Sequence, residues 1–392
     1  MKLPPGYTPR EGESLPENAV CKLQKSLYGL KQASRQWFLK FSGTLLSLGF
    51  KPSHSDHTLF TRNINSHYIV VLVYVDDIII ASNVTEDVDQ LKDDLQKAFK
   101  FRDLGPLKYF LGLEIVRSTK GISVCQQKYT LGLLEESGLM ACKPSPIPMD
   151  PSIKLTQDSQ EPLLDDACAY RRLVGKMMYL TITRPDITFA VIKLCQYTLA
   201  PKPSHLLAAY KVLHYLKGTI GLGLFYSSDS DLVLKGYTDA DWGSCADTRR
   251  STSGYCMFLG NTLISWESKK QQVASHSSAE SEYRAMEFGS REVIWLVNLL
   301  AELQAPQDGL IPYYCDSTAA IHIANNPVFH ERTKHIERDC HLIRDRIKAG
   351  WIKTLHVRTN SQIADIFTKP LFSPQFYSLV GKMALKTLYL PS

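Results

Sequence analysis

The sequence predicts an α/β (α+β) chain of two or three domains, and three observations carry that expectation. An apolar run over residues 68–81 is broken only by Asp76 and Asp77, the pattern of two buried strands joined at a turn. Apolar residues three or four apart, with charges between them, occur at Val88, Leu91, Leu95 and Phe99 and again over residues 205–217, which is helical spacing. From about residue 231, strand-like runs give way to alternating helical and extended segments. A length of 392 residues suits two or three cores. With 44% apolar and 21% charged residues the chain is an ordinary globular one, not a disordered one.

Taken in order, residues 68–75 and 78–81 read as the strands of a hairpin with Asp76 and Asp77 at its turn. Two adjacent carboxylates beside apolar strands are costly without a neutralising partner. A divalent cation is the usual one, because hard cations take carboxylate oxygens. The competing reading is that Asp-Asp is ordinary turn chemistry. The helix through Val88 and Phe99 then packs on one face of the hairpin. Residues 142–151 contain four prolines and read as an extended connector, since proline removes donors and breaks helices. Residues 165–225 read as mostly helical, with the 205–217 helix ended by Gly218. His205 and His214 read there as packing or surface residues. Strands follow at 232–238 and 254–259, and Gly260-Asn261 turns the chain into a third at 262–267. A long helix over 279–303, a strand at 311–315, a short helix after Ser317, a helix over 336–348, a strand at 351–357 and a final helix from Ala364 complete the order.

Net charge is +6, mildly basic, which suits a nucleic-acid partner without requiring one. Arg249-Arg250, Lys269-Lys270 and residues 344–348 are candidate phosphate contacts, against the plainer reading of solvated surface charge. Nine cysteines show no close-pair spacing, as in a reduced intracellular protein. His330, His335, Cys340 and His341 are not followed by the Cys-x-x-Cys of a zinc site and read as no metal site. Residues 1–6 have no apolar core of a signal peptide. The apolar run of the hairpin, interrupted by its acidic pair, is no membrane span, and no membrane partner is expected.

Tyr74-Val75-Asp76-Asp77 between apolar strands resembles the catalytic hairpin of reverse transcriptases. Residues 21–37 resemble the segment of copia-type retrotransposon polymerases that grips template and nucleotide. Residues 103–115 resemble the segment that holds their primer, and residues 180–187 and 364–371 are typical of the same family. The resemblance covers nearly the whole chain. It implies an N-terminally truncated reverse transcriptase palm and thumb part over 1–150 and a helical connection over 151–230. A ribonuclease H-like domain with a five-stranded mixed sheet over 231–370 and a tail over 371–392 would follow. It also implies nucleic-acid contacts from Gly29, Lys31, Gln32 and Arg35.

For the ribonuclease H-like part the resemblance implies four metal ligands: Asp239 at the end of the first strand, Glu282, Asp316 at a strand-to-helix junction, and Asp365. The family pattern sets the glutamate three residues before a small residue packed on the sheet. Ala285 fits that place and selects Glu282, with Glu280 as the alternative and Asp241 as a turn residue. The implied cofactor is Mg²⁺ or Mn²⁺, held also by Asp76 and Asp77. The implied partners are an RNA–DNA hybrid, an RNA template and a DNA primer, with self-association or association with other retroelement proteins. Asn325, Arg332 and Lys334 would lie near the substrate, and His356 reads as a strand histidine.

The match has two departures. Ser34 stands where the family often has proline. The first catalytic aspartate of the polymerase lies upstream of a segment resembling residues 1–7, and Asp56 in its polar segment is no substitute. The expectation is therefore hybrid-directed ribonuclease H activity with an inactive polymerase part, in a cytoplasmic virus-like particle or the nucleus. The alternative is a non-catalytic nucleic-acid-binding remnant. A third reading, full polymerase activity, needs a partner chain to supply the absent strand.

Overall fold

The computed structural model describes residues 2–9, 12, 14–16, 18–24, 27, 29–326 and 337–387. The chain forms two compact units, Met1–Leu104 and Gly105–Ser392.

In the first unit, α1 (Ala33–Ser47) precedes a four-stranded antiparallel sheet of β1 (Lys51–Pro52), β2 (Leu59–Ile64), β3 (His67–Tyr74) and β4 (Asp77–Ser82). Helix α2 (Thr85–Ala98) follows. The period-2 pattern of β3 sends Ile69, Val71 and Val73 to one side. They form a core there with Phe41 and Leu45 of α1 and with Leu91 and Leu95 of α2. The helical spacing read from Leu91 and Leu95 is the buried stripe of α2.

The second unit opens with β5 (Tyr109–Phe110), β6 (Leu113–Ser118), β7 (Gly121–Cys125) and α3 (Gln127–Glu136). Helices α4 (Ala167–Leu180), α5 (Thr188–Cys195) and α6 (Pro203–Gly218) follow, then β8 (Leu222–Ser227). Strands β9 (Leu234–Asp241), β10 (Thr252–Leu259) and β11 (Thr262–Lys270) form a meander, after which α7 (Ser278–Glu302) begins. The chain continues through β12 (Ile311–Cys315), α8 (Thr318–Asn325), α9 (Glu337–Lys348), β13 (Ile352–His356), α10 (Ser373–Lys382) and β14 (Leu385–Thr387). One five-stranded sheet is mixed, in the order β11-β10-β9-β12-β13, with β12 parallel to both β9 and β13. The other is antiparallel, in the order β14-β8-β7-β6-β5.

The mixed sheet has a core on each face. Tyr255, Met257 and Tyr313 pack with Met286 and Val293 of α7. Cys256, Phe258 and Leu263 point the other way and join Val191 of α5, Leu213 of α6, Phe367 and Leu379. The helical region and the mixed sheet thus share one hydrophobic core.

Three local readings differ from the structure. Residues 222–227 are a strand, because Gly218 ends α6 and frees the chain to pair with β7. Gly223 permits that pairing: a Cβ there would sit 2.4 Å from the Val124 carbonyl oxygen. The final helix is instead a short 3₁₀ turn, Ile363–Phe367, followed by α10. Pro370 disfavours helical backbone at Lys369 and supplies no N–H, so a helix begun at Ala364 cannot run on. Residues 142–151 are irregular, as their prolines require, but they are not a free connector. Ile147 and Met149 are buried in the shared core, and the Ser145 N–H donates to the His214 carbonyl at 3.0 Å. Among the described residues, no helix is long and apolar enough to cross a membrane.

Candidate metal centre

Four elements of the second unit end beside one another. Asp239 lies near the end of β9 and Asp316 immediately follows the parallel strand β12. Glu282 lies in the second turn of α7, and Asp365 on the 3₁₀ turn. Gly254 makes this approach possible. It pairs with Asp239 across β9 and β10, and a Cβ on it would lie 2.7 Å from the Phe367 Cβ and 2.8 Å from the Thr368 Cγ2. Only a bare backbone lets the turn carrying Asp365 sit this close to the strand.

Carboxylate oxygens of Asp239, Asp316 and Asp365 lie within 4.8 Å of one another. Glu282, Cys315 and Asp316 form a second such set, with Asp316 common to both. Asp239, Glu282 and Asp365 are buried and Asp316 is half-buried. The Thr368 hydroxyl donates to Asp239 Oδ2. Gln375 Nε2 donates to Asp365 Oδ2 at 3.3 Å. The Lys369 ammonium is 3.0 Å from Asp365 Oδ1 and 3.6 Å from Asp239 Oδ2.

Burial dominates the electrostatics and mutual repulsion adds to it. Burial pushes the Asp239 carboxyl up, against the pull of Lys369 and the Thr368 hydrogen bond. Glu282 rises well above the carboxylate range through burial and then the charges of Asp239 and Asp316. Asp365 is pushed up to about 7 by burial and by Asp239. Burial works against the Lys369 charge, but Asp239 and Asp365 outweigh it and raise the ammonium above its ordinary value. Among the described residues, Lys369 is thus the cation paired with this cluster of four acidic groups, through Asp239 and Asp365, and the donor set is one of carboxylate oxygens. Such a set fits hard divalent ions such as Mg²⁺ or Mn²⁺. The neighbouring Cys315 thiol is driven upward by burial and is no thiolate ligand.

The two glutamates separate cleanly. Glu280 accepts from the His276 N–H at 2.8 Å and pairs with Arg284 at 3.1 Å, so it closes the start of α7. Asp241 ends β9 half-buried, with its carboxyl raised by burial. Asp76 and Asp77 are exposed at the β3–β4 turn, where Tyr74 pairs with Asp77. Val75 takes φ +50 there, a strained conformation for a β-branched residue. Among the described residues no third His, Cys, Asp or Glu joins that pair in a metal-sized group. Gly29, Lys31, Gln32 and Arg35 are exposed around the start of α1.

The other candidates divide in the same way. Arg344 is buried and donates to the Ile323 carbonyl at 2.9 Å, and Arg346 bonds Ser290, so both serve packing. Asn325 bonds Thr354 at 2.9 Å, tying α8 to β13. His356 is exposed at the end of β13. Arg332, Lys334, His330, His335 and the side chains of Cys340 and His341 lie outside the described residues. The sequence reading assigned no role to Thr368 or Lys369. Their signal was present in the spacing of Asp365 and Lys369, four residues apart in one motif.

Residues 1–151 match the family described as "Reverse transcriptase (RNA-dependent DNA polymerase)". The Pol polyprotein of transposon RE1 from Arabidopsis thaliana is 40% identical over 385 residues, covering 98% of this chain and 26% of that protein. A putative transposon Ty5-1 protein of Saccharomyces cerevisiae is 35% identical over 286 residues, covering 72% of this chain and 91% of that protein. The chain belongs to the copia-type retrotransposon Pol family. The corresponding polyprotein of tobacco, Nicotiana tabacum, is 37% identical over 362 residues, 90% of this chain and 27% of that protein. This Pol chain thus spans about a quarter of the length of such polyproteins. Its acidic cluster lies beyond the residues matched by the reverse transcriptase family and within the part aligned with RE1.

Proposed function

We propose that the second unit of this Pol chain hydrolyses the RNA strand of RNA–DNA hybrids, as a ribonuclease H. One observation carries the reading: carboxylates from four separated segments meet in one small, largely buried cluster. Burial and then neighbouring charge raise the carboxyls of Asp239, Glu282 and Asp365, and a bound cation would relieve that cost. Asp239, Glu282, Asp316 and Asp365 would hold Mg²⁺ or Mn²⁺, which supplies Lewis-acid stabilisation for charge developing on a phosphodiester. The remaining work belongs to the chain. Thr368 and Lys369 fix the oxygens of Asp239 and Asp365, and Gln375 orients the second oxygen of Asp365. The Cys315 thiol, kept neutral by burial, donates to Glu282 Oε2 at 3.8 Å.

For the first unit the reading is contact with RNA template and DNA primer without nucleotide addition by this chain alone. Its support is that Asp76 and Asp77 stand without a third carboxylate among the described residues. Nucleotidyl transfer between two metals requires a fuller clamp of oxygens. The experiment is incubation of the purified chain with an end-labelled RNA–DNA hybrid in Mg²⁺, Mn²⁺ or EDTA. Metal-dependent shortening of the RNA strand alone is expected. Hybrid bound but left whole in both metals would instead support a non-catalytic binding remnant.

A further inference from the structure

The loop joining β9 to β10, residues 242–251, begins three residues after Asp239 and is pinned on its inner side. Cys245 is fully buried. Its N–H donates to the Arg250 carbonyl at 3.1 Å and its carbonyl accepts from the Arg249 N–H at 2.8 Å. The Gly243 N–H donates to Ser251 Oγ at 3.1 Å. Asp247 accepts from the Gln157 N–H at 2.8 Å and from the Thr156 hydroxyl, which engages the acidic side chain of the loop. The Trp242 Nε1–H donates to the Ser275 carbonyl at 3.0 Å. Ser275 lies just before α7, so the indole bridges the elements that carry Asp239 and Glu282.

Among the described residues, the outer side of the same loop has no such partners. Trp242 is 53% exposed although its ring is large and apolar. Arg249 is exposed and Arg250 half-buried, and neither has an ion-pair partner among the described residues. A rigid loop thus displays a flat ring, its one polar atom already bonded, and two unpaired guanidinium groups. Stacking on aromatic faces and forked hydrogen bonds to phosphate are the two contacts that nucleic-acid strands favour. Little conformational freedom remains to be lost on binding. The neighbouring acidic cluster would also repel a polyanion, so a strand brought to it needs cationic contacts close by.

We propose that this loop is a nucleic-acid binding site that takes one strand of an RNA–DNA hybrid. A base or sugar face lies on Trp242, phosphates lie on Arg249 and Arg250, and the strand is thereby seated beside the acidic cluster. Its use in cleavage rests on the hydrolysis reading above; the binding does not. The test is anisotropy of a fluorescein-labelled RNA–DNA hybrid titrated with the full chain in EDTA, across a series of salt concentrations. Trp242→Ala should weaken binding ~10-fold, as loss of a stacking platform does, and Trp242→Phe should restore most of it. Arg249→Gln combined with Arg250→Gln should weaken binding and flatten the log–log salt slope by about 2. Wild-type affinity and slope in both Trp242→Ala and the double variant would overturn the site, as would failure of the unaltered chain to bind hybrid. Equal loss in Trp242→Phe and Trp242→Ala would assign the indole to pinning the loop and overturn the stacking contact. If the predicted binding losses are seen while no form cuts hybrid in Mg²⁺, the site stands and the hydrolysis reading fails.

Discussion

At the residue scale, the acidic cluster makes the sharpest demands. Asp316→Asn keeps size and removes one charge from the group shared by both ligand sets. Hybrid cleavage should fall by ~10²-fold or more, as when a main electrostatic stabiliser is lost. Unchanged cleavage in that variant would show the cluster to be the wrong site. Glu282→Gln should behave similarly, whereas Glu280→Gln should lower the melting temperature and leave cleavage by the folded protein nearly intact. Glu280 bonds His276 and Arg284 instead of facing the cluster. The four carboxylates were named from the motifs that carry the family resemblance, with Glu282 chosen over Glu280 through the place of Ala285, and the structure brings those four positions together. Lys369 was not, because its role depends on a fold that brings Asp239 to it from 130 positions away in sequence.

His205 supplies a pH test on the same scale. It is fully buried, stacks on Tyr197 and accepts from the Lys202 N–H at 3.1 Å through Nδ1. Its Nε2–H therefore donates to the Thr156 carbonyl at 3.1 Å, and the ring is neutral. Burial lowers its pKa against the weaker opposing pull of that backbone contact. A depressed histidine means the unfolded chain binds the proton more readily. Its stabilising contribution is complete above about pH 6.5 and declines as pH falls below that value. Melting temperatures measured from pH 8 to pH 5 should fall less steeply for His205→Gln than for the unaltered chain. Parallel curves would refute the neutral, buried assignment. The spacing of residues 205–217 identified the helix but not this buried contact, which depends on the Thr156 carbonyl, 49 positions away in sequence.

At the element scale, periodicity identified most strands and helices, and missed where glycine and proline act through neighbours. Residues 222–227 pair as a strand only because β7 lies alongside, and nothing within the segment records that. Residues 142–151 show the same limit, since four prolines signal irregular backbone but not that Ile147 and Met149 enter a core. Limited proteolysis should therefore cut the exposed stretches near 102–106 and 228–233 before residues 145–150. First cleavage between Ser145 and Asp150, read by mass spectrometry of the fragments, would contradict this packing. Gly254 gives a second test without touching a ligand. Gly254→Ala would force a methyl against Phe367 and Thr368, at a cost of about 1–3 kcal/mol for an overpacked site. It should lower the melting temperature and hybrid cleavage together, because it separates the turn carrying Asp365 from the strand carrying Asp239. Wild-type cleavage in a stable Gly254→Ala protein would show that this close approach is dispensable.

At the scale of the whole molecule, the question is how much chain the cleavage site needs. The order of strands and helices after residue 231 suggested a unit that folds from there. The structure gives the mixed sheet a different dependence. Phe258, Leu263 and Phe367 on one face share a core with Tyr170, Val191, Leu213 and Leu216 of the preceding helices. Strand β14 pairs with β8, which itself pairs with β7. A chain of residues 231–370 would lose β14 and expose an apolar face on which several large side chains are now fully buried. Each such side chain accounts for about 1.5–3 kcal/mol of burial, against a total stability of about 5–15 kcal/mol for a typical domain. Residues 231–370 alone should therefore fail to fold, while residues 105–392, a compact unit in the structure, should fold and cut hybrid without residues 1–104. Circular dichroism melts and the hybrid assay on the two truncations decide the matter. A cooperative melt from residues 231–370, with cleavage equal to that of residues 105–392, would show that the shared core is not needed.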